Sequence, residues 1–198
     1  MSHRCDKKYY LCHTNVSKMK KTKENIIQAA ILLLEKDKNC SLEEIATEAG
    51  VSRRTLHRYF DGKEELIIAV FENLAEKYYE GFLEIIGEEK PILETVKKLL
   101  SYDLKTFSSH STIYYLYESF KDKYTFGEED IKEVEEQSIL VFSKLCEEGI
   151  LNQTLDYQWV NAFYDSLIHL GNSQIKNGIE PTLVEETIWQ LFWNGIGK

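Results

Sequence analysis

The stretch SLEEIATEAGVSRRTLHRYF, residues 41–60, decides the fold of this chain. Ser41 and Glu44 form the S-x-x-E pattern of a capping box, in which both side chains satisfy backbone N–H groups at the start of a helix. Gly50 follows at the position where a left-handed residue closes a helix. Ser52 is then a favourable N-cap for the next helix. The stretch therefore predicts two short helices that are joined by a tight turn.

The spacing of small and apolar residues in this stretch is typical of a helix-turn-helix. Ala46 is small where the second helix must approach the third, Gly50 lies in the turn, and Leu56 anchors the third helix. A helix from Lys23 to Glu35 precedes the stretch, because the apolar residues there follow helical spacing. The sequence therefore predicts three helices that pack around one small core.

The third helix is predicted to present a cationic face to solvent. Leu56 and Phe60 are four residues apart and form its buried side. The residues that project outward include no carboxylate and are Arg53, Arg54, His57 and Arg58. Residues 1–60 carry a net charge of +5 and residues 61–198 a net charge of −14, within a total of −9. A basic head on an acidic chain indicates a polyanionic partner for the head alone.

The rest of the chain is also predicted to be helical. Only two prolines occur, and no alternation typical of a strand is found. An interruption from Ser108 to Ser111 is expected to separate a helix that begins at Pro91 from a short aromatic helix, IYYLYESFKDKY. The prediction is an all-α fold of about nine helices. It comprises a flexible basic arm at residues 1–21, a helix-turn-helix DNA-binding domain at 22–66, and a larger helical effector-binding and dimerisation domain at 67–198.

Several functional classes are disfavoured by what the sequence lacks. The longest apolar runs, AAILLL and LIIAVF, are far shorter than the roughly 20 residues of a membrane helix, so a soluble cytoplasmic protein is predicted. Cys5 and Cys12 lie near His3 and His13, but their irregular spacing leads us to predict no metal site and no cofactor. None of the motifs GxGxxG, GxxxxGK, HExxH and GxSxG occurs, so we do not expect an enzyme.

The block from Lys23 to Val70 resembles the N-terminal DNA-binding domain of the tetracycline-repressor (TetR) family. The resemblance is carried by IIQAAILLLEKD and SLEEIATEAGVSRRTLHRYFDGKEELIIAVFENL, whose parts follow the order and spacing of that family. The remaining helices resemble the family only as a variable helical body of similar length. Arg54 stands where the family often has glycine, and His57 where tyrosine is common. Both departures fall on the predicted base-reading face, so no operator sequence can be transferred.

The resemblance implies a repressor that inserts the helix at residues 52–59 into the major groove of DNA. Arginine can bond guanine through two donors, and the threonine methyl group can contact the thymine methyl group. The predicted DNA-binding residues of this helix and its cap are Ser52, Arg53, Arg54, Thr55, His57, Arg58 and Tyr59. Helix N-termini attract phosphate, and the resemblance implies such contacts from Thr22, Lys23, Ser41 and Lys63. For Ser41, capping alone is an equally good interpretation.

One short recognition helix covers only a few base pairs. Specific binding therefore calls for a homodimer on a palindromic operator of double-stranded DNA. The resemblance favours dimer contacts between the last two helices of each subunit. The predicted interface residues are Trp159, Phe163, Leu167, Ile188, Trp189, Phe192 and Trp193.

The body is rich in tyrosine and phenylalanine, which suits a pocket for an apolar or aromatic small-molecule effector. The predicted pocket residues are Tyr102, Phe107, Tyr114, Tyr115, Tyr117, Phe120, Phe142 and Phe163. Core packing is the alternative interpretation for each single aromatic residue. Effector binding is expected to change the spacing of the two DNA-binding heads through the long fourth helix and so to release the operator.

A helical protein-interaction module without sequence-specific DNA binding is the main alternative function. The two functions differ in what they require of Arg53, Arg54 and Arg58. Neutralising these arginines abolishes operator binding in a DNA-binding regulator and leaves an interaction module unaffected.

Overall fold

The computed structural model describes residues 6–118, 128–151 and 155–198. These residues form eight α-helices and no strand, so the prediction of an all-α fold is confirmed. None of the helices in these three segments is both long enough and apolar enough to cross a membrane. The helices are α1 (Asp6–Lys36), α2 (Leu42–Glu48), α3 (Arg53–His57), α4 (Lys63–Ile86), α5 (Ile92–Glu118), α6 (Glu128–Glu147), α7 (Tyr157–Lys176) and α8 (Pro181–Ile196).

Two helices are longer than the sequence predicts. Helix α1 begins at Asp6 rather than at Lys23, so residues 6–21 of the predicted arm are helical. Helix α5 continues through the predicted break at Ser108 to Ser111. Neither helix contains proline or glycine, and serine costs a helix only a fraction of a kcal/mol per residue. Ser111 is also buried, so tertiary packing holds this part of α5 in helical form.

The chain divides into two compact units, a head unit of residues 1–73 and 112–124 and a body unit of residues 74–111 and 125–198. The head unit has a core built from α1, α2, α3 and the first part of α4. Its fully buried side chains recur on one face of each helix and include Ile26, Leu34, Ile45, Leu56, Phe60 and Leu66. At about 25 cal/mol per Å² of apolar surface removed from water, each such side chain stabilises the fold by about 1.5–3 kcal/mol.

The body unit buries the apolar faces of α5, α6, α7 and α8, together with Phe82 of α4, in one core. Gly171 of α7 lies where three helices approach most closely. A Cβ atom at Gly171 would lie 2.5 Å from Cδ2 of Leu104 and 3.1 Å from Cγ1 of Ile188. The absence of a side chain at Gly171 therefore sets how closely α5 and α8 approach α7.

The ends of α7 are defined by local hydrogen bonds. The Asp156 carboxylate caps its N-terminus by accepting from the backbone N–H groups of Gln158 and Trp159, at 3.0 and 3.2 Å. Gly178 adopts a φ of 88° just beyond its C-terminus, where a residue with a side chain would be strained. These signals are both local in sequence, which is why the sequence could indicate them.

Candidate nucleic-acid interface

The turn between α2 and α3 is closed by Gly50. Its φ is 66°, and its N–H donates to the Thr47 carbonyl while the N–H of Val51 donates to the Ala46 carbonyl. This pair of bonds is the Schellman arrangement, which satisfies the last carbonyl groups of a helix. Ser52 then accepts a hydrogen bond from the Thr55 N–H at 3.1 Å and begins α3. The predicted turn is therefore present.

Helix α3 has a buried side and a cationic exposed side, as the sequence predicts. Leu56 and Phe60 are 0% and 2% exposed, whereas the residues exposed to solvent are Arg53, Arg54, His57 and Arg58. Thr55 and Tyr59 are half-buried at its flanks. The helix ends at His57, but the N–H of Phe60 still donates to the Leu56 carbonyl at 3.0 Å. The turn thus continues far enough to hold Arg58 and Tyr59 beside the helix.

One carboxylate lies near this face, contrary to the sequence expectation. The Glu43 carboxylate on α2 is 3.7 Å from Nη1 of Arg53. Both side chains are exposed, so the attraction contributes less than about 1 kcal/mol. Charges within the third helix alone could not predict the position of Glu43, because the tertiary fold brings α2 against α3.

Arg58 and Tyr59 support each other at the end of α3. The Arg58 guanidinium lies 5.1 Å from the centroid of the Tyr59 ring, and its Nη2 donates to the Tyr59 hydroxyl at 3.4 Å. Arginine over an aromatic ring gains about 0.5–1 kcal/mol at an exposed site. The stacked arrangement restricts the Arg58 side chain in advance, so the side chain loses less conformational entropy when it contacts another group.

Two of the residues predicted to contact phosphate are engaged within the head unit. Lys63 Nζ donates to the backbone carbonyls of Lys38 and Cys40, at 2.9 and 2.5 Å, and so closes the turn between α1 and α2. The Ser41 hydroxyl accepts from the Glu44 N–H and donates to the Glu44 carboxylate. The Ser41 backbone N–H also donates to the Glu44 carboxylate, at 2.7 Å, and this bond, together with the one from the Ser41 hydroxyl, lowers the pKa of Glu44. Both residues thus make stabilising hydrogen bonds within the head unit, Ser41 at the start of α2 and Lys63 at the turn before it.

The other two predicted phosphate contacts lie on α1. Lys23 is exposed, and its Nζ lies 5.7 Å from the centroid of the Phe60 ring. Thr22 is half-buried. The Lys23 side chain is therefore open to solvent, with its ammonium group over the Phe60 ring.

Residues 26–70 match the sequence family described as bacterial regulatory proteins, tetR family. The helix-turn-helix domain belongs to this family. Solved structures of similar fold include the TetR-like regulator LfrR of Mycobacterium smegmatis in complex with proflavine, at 19% identity and a TM-score of 0.68. The alignment with LfrR covers 90% of this chain and 98% of that one. A comparison with curated protein sequences finds no match.

Two further solved structures of similar fold have similar coverage. The ketosteroid transcriptional regulator KstR2 of Mycobacterium tuberculosis is 17% identical, with a TM-score of 0.72, and the alignment covers 89% of this chain and 95% of that one. FadR of Bacillus subtilis, solved with stearoyl-CoA, is 19% identical, with a TM-score of 0.58 and coverage of 85% and 96%. The similarity of fold to these transcriptional regulators therefore extends over the body as well as the head.

The predicted effector-pocket residues have different environments in this tetR-type fold. Phe142 is buried in the core of the body unit, and Phe163 is half-buried and stacked on Phe192. Tyr102 and Phe107 are half-buried in the body unit, whereas Tyr115 belongs to the head unit and is 59% exposed. The side chains of Tyr114 and Tyr117, and the whole of Phe120, lie outside the described residues.

A carboxylate cluster in the body unit was missed by the sequence analysis. The Asp103 carboxylate accepts hydrogen bonds from the hydroxyls of Tyr78 at 2.9 Å and Tyr164 at 2.5 Å. The Tyr78 ring stacks on the Tyr102 ring at a centroid distance of 5.5 Å. We call these four residues the Asp103 cluster. Its members come from α4, α5 and α7, so no local pattern could have revealed it.

Burial changes the proton affinity of the Asp103 cluster. Loss of hydration raises the pKa of Asp103 to about 6, although the two tyrosine hydroxyls act in the opposite direction. Burial and the neighbouring carboxylate together raise the pKa of Tyr78 and of Tyr164 well above the ordinary range. The tyrosine hydroxyls are therefore neutral donors, and the Asp103 carboxyl keeps its proton to a higher pH than an exposed aspartate does.

The predicted dimer-interface residues divide into buried and accessible sets. Leu167, Ile188 and Phe192 are buried in the core of their own body unit, so their side chains are not available to a second subunit. Phe163, Trp189 and Trp193 are half-buried and packed against that core. Trp159 is 68% exposed. Exposed apolar side chains that the sequence analysis did not select are Leu170 of α7 and Leu183 and Leu191 of α8.

No group of three or more metal-ligating side chains occurs among the described residues. Cys40 is buried and Cys146 half-buried, and both are free thiols. The side chains of Cys5 and Cys12 lie outside the described part of the chain. The described residues accordingly supply no candidate metal centre.

Proposed function

We propose that the protein is a ligand-responsive transcriptional repressor. It binds a palindromic operator as a homodimer through residues 52–59 and is released by a small-molecule effector bound in the body unit. The observation that carries this proposal is the exposed cationic face of α3 beside a buried Leu56. Such a face belongs to a domain of the tetR family.

The DNA-binding step follows from the chemistry of the exposed face. Arg53 and Arg54 lie in the first turn of α3, where a recognition helix contacts base edges in the major groove. A guanidinium that bonds guanine O6 and N7 discriminates by about 1–3 kcal/mol against the wrong base. Because Ser41 and Lys63 are engaged internally, we assign the phosphate contacts to Lys23, Arg58 and the backbone N–H groups of helix N-termini.

Dimerisation is supported by the exposed apolar side chains of α7 and α8. Trp159, Leu170, Leu183 and Leu191 are each more than 40% exposed. Burying a large aromatic or aliphatic side chain in an interface stabilises association by removing its apolar surface from water. We therefore assign the dimer surface to these residues, with Trp189 and Trp193 at its margin, rather than to the buried residues of the same helices.

Effector control is supported by the ligands of proteins with the same fold. LfrR was solved with proflavine and FadR with stearoyl-CoA. In the present chain, α4 runs from the head unit into the body unit. A ligand that binds more tightly to one arrangement of α4 shifts the population of head arrangements by that difference in affinity.

Selection of bound DNA from a random-sequence pool tests the proposal. We expect the purified protein to enrich a two-fold symmetric sequence. Neutralising Arg53, Arg54 and Arg58 by alanine substitution should abolish the enrichment and leave the sedimentation coefficient unchanged. The matched control replaces the exposed lysines Lys77, Lys132 and Lys144, which removes the same charge outside α3. Recovery of no preferred duplex by the wild-type protein would refute DNA-binding regulation.

The dimer surface is tested separately by Trp159→Glu. The substitution places a charge in the proposed interface. It should raise the dimer dissociation constant measured by analytical ultracentrifugation by about tenfold or more. The matched control is Leu32→Glu, because Leu32 of the head unit is 54% exposed and lies outside the proposed surface. Equal dimer dissociation constants for the two variants would exclude Trp159 from the interface.

A further inference from the structure

The Asp103 cluster is the most unusual polar group in the body unit. Its carboxylate accepts two hydroxyl hydrogen bonds, from Tyr78 and Tyr164. Asp103 nevertheless retains some solvent-accessible surface. The residue is thus only half-buried, whereas its carboxylate lies between the hydroxyls of Tyr78 and Tyr164.

No positive side chain compensates this carboxylate within the described part of the chain. None of the ion pairs there includes Asp103, and the charged group that acts on it is Asp165, another acid. The Asp165 carboxylate accepts from Nδ2 of Asn161 at 3.1 Å. Two neutral hydroxyls cannot provide the positive charge that would compensate a desolvated carboxylate. The cluster is thus complementary to a cation.

A buried acceptor without a hydrogen-bond donor lies on α7. Asn172 is 5% exposed, and its Oδ1 accepts no hydrogen bond from the described residues. Its neighbour Gly171 packs against Leu104, the residue that follows Asp103. A buried acceptor without a donor destabilises the folded state, so any donor that reaches Asn172 Oδ1 would stabilise the body unit.

The two tyrosines that bond the carboxylate each pack on another aromatic ring. Tyr78 stacks on Tyr102 with centroids 5.5 Å apart, and Tyr164 packs on Phe142 with centroids 5.1 Å apart. Rings of this kind offer an apolar surface, and their faces attract cations. An anionic ligand would instead be repelled by the Asp103 carboxylate. The combination therefore selects a ligand that is both apolar and positively charged.

On the basis of the function proposed above, we propose that the effector is an apolar amine, protonated at neutral pH, whose ammonium group pairs with the Asp103 carboxylate. The apolar part of the amine packs against Tyr102 and the neighbouring rings of the Asp103 cluster. An amine of this class, rather than a fatty acyl or other anionic compound, then releases the repressor from DNA.

The test compares three probes with the same naphthyl body and different charges. Naphthylmethylamine is a cation at neutral pH, naphthylmethanol is neutral, and naphthoic acid is an anion. Binding to the full-length protein is measured by isothermal titration calorimetry without DNA. We expect the amine to bind tightest and the acid weakest. In Asp103→Asn the amine should lose roughly tenfold or more in affinity, while the alcohol changes little.

Two further variants isolate the role of Asp103. Glu186→Gln removes one exposed carboxylate of α8 and should leave the preference for the amine intact. Asp165→Asn removes the second carboxylate near the cluster and should reduce the preference by a smaller factor than Asp103→Asn. If Asp103→Asn does not fold, as judged by circular dichroism, Asp165→Asn still tests whether local negative charge selects the ligand.

Failure of the inference is distinguishable from failure of the proposed function. Equal or tighter binding of the acid by the wild-type protein would overturn the inference. So would a preference for the amine that survives in Asp103→Asn, or an absence of binding by both naphthylmethylamine and the larger cation proflavine. Selection of operator DNA by the wild-type protein in the absence of any probe decides the proposed function independently of these titrations.

Discussion

Replacing Asp103 by asparagine should change how the stability of the body unit depends on pH. Burial raises the pKa of the Asp103 carboxyl from an ordinary 3.8 to about 6, so the folded state binds this proton more tightly than the unfolded state. The difference is about two pH units, and at about 1.4 kcal/mol per unit it corresponds to at most about 3 kcal/mol. The partial accessibility of Asp103 to solvent makes this an upper value.

The sign follows from proton linkage. A carboxyl whose pKa is raised on folding favours the folded state below the unfolded pKa, and this contribution is lost as the pH rises through about 6. The wild-type protein should therefore gain stability relative to Asp103→Asn as the pH falls from about 7 to about 4, by up to about 3 kcal/mol. Carboxyl groups that do not interact with Asp103, such as Glu44 with its lowered pKa, titrate in both proteins and cancel in the difference.

Urea denaturation at a fixed protein concentration measures this difference. All three tryptophans, Trp159, Trp189 and Trp193, lie in the body unit, so their fluorescence follows the unfolding of that unit. Glu186→Gln is the matched control and should follow the wild-type curve at every pH. Parallel stability curves for Asp103→Asn and the wild-type protein across this pH range would show that the Asp103 environment has been misjudged.

Three further predictions concern packing and DNA contacts. Gly171→Ala should lower the free energy of unfolding of the body unit by about 1–3 kcal/mol in urea denaturation, because the new Cβ would lie 2.5 Å from Leu104 in a close-packed core. Gly62→Ala meets no atom within 4 Å and should be nearly neutral, and equal losses for the two variants would contradict this account. Lys63→Met should increase hydrogen exchange at the turn between α1 and α2 and leave the salt dependence of operator binding unchanged. A weaker salt dependence in this variant would instead show that Lys63 contacts phosphate. Arg54→Ala should weaken operator binding by about 1–3 kcal/mol in fluorescence anisotropy and relax base preference at one position of each half-site; uniform weakening at all positions would indicate a phosphate contact.

Local sequence signals accounted for most of the head unit. The capping box at Ser41, the left-handed Gly50 and the cap at Ser52 each depend on residues within about four positions of one another, and all three are present. The burial of Leu56 and the exposure of Arg54 follow from helical periodicity alone. These features were predictable because one or two turns of helix determine both their hydrogen bonds and which side chains point inward or outward.

The body unit was less predictable, because composition does not specify which side chains pack against one another. Aromatic content indicated a pocket, but the sequence could not distinguish Phe142, which is buried, from Tyr115, which is exposed. The same apolar periodicity on α7 and α8 serves the core at Leu167 and leaves Trp159 in solvent. A period of 3.6 residues identifies a helix face, but the neighbouring helices determine what covers it.

The sequence by itself determined the class of the fold, the helix-turn-helix, the capping residues and the cationic face of α3, because each of these depends on near neighbours along the chain. Only the tertiary structure decided that Glu43 approaches Arg53 and that Lys63 closes the turn at Cys40. It alone brought Tyr164 to Asp103, which are 61 residues apart. Contacts at such separations depend on how helices pack, and the burial that raises the pKa of Asp103 exists only once α4, α5 and α7 have come together.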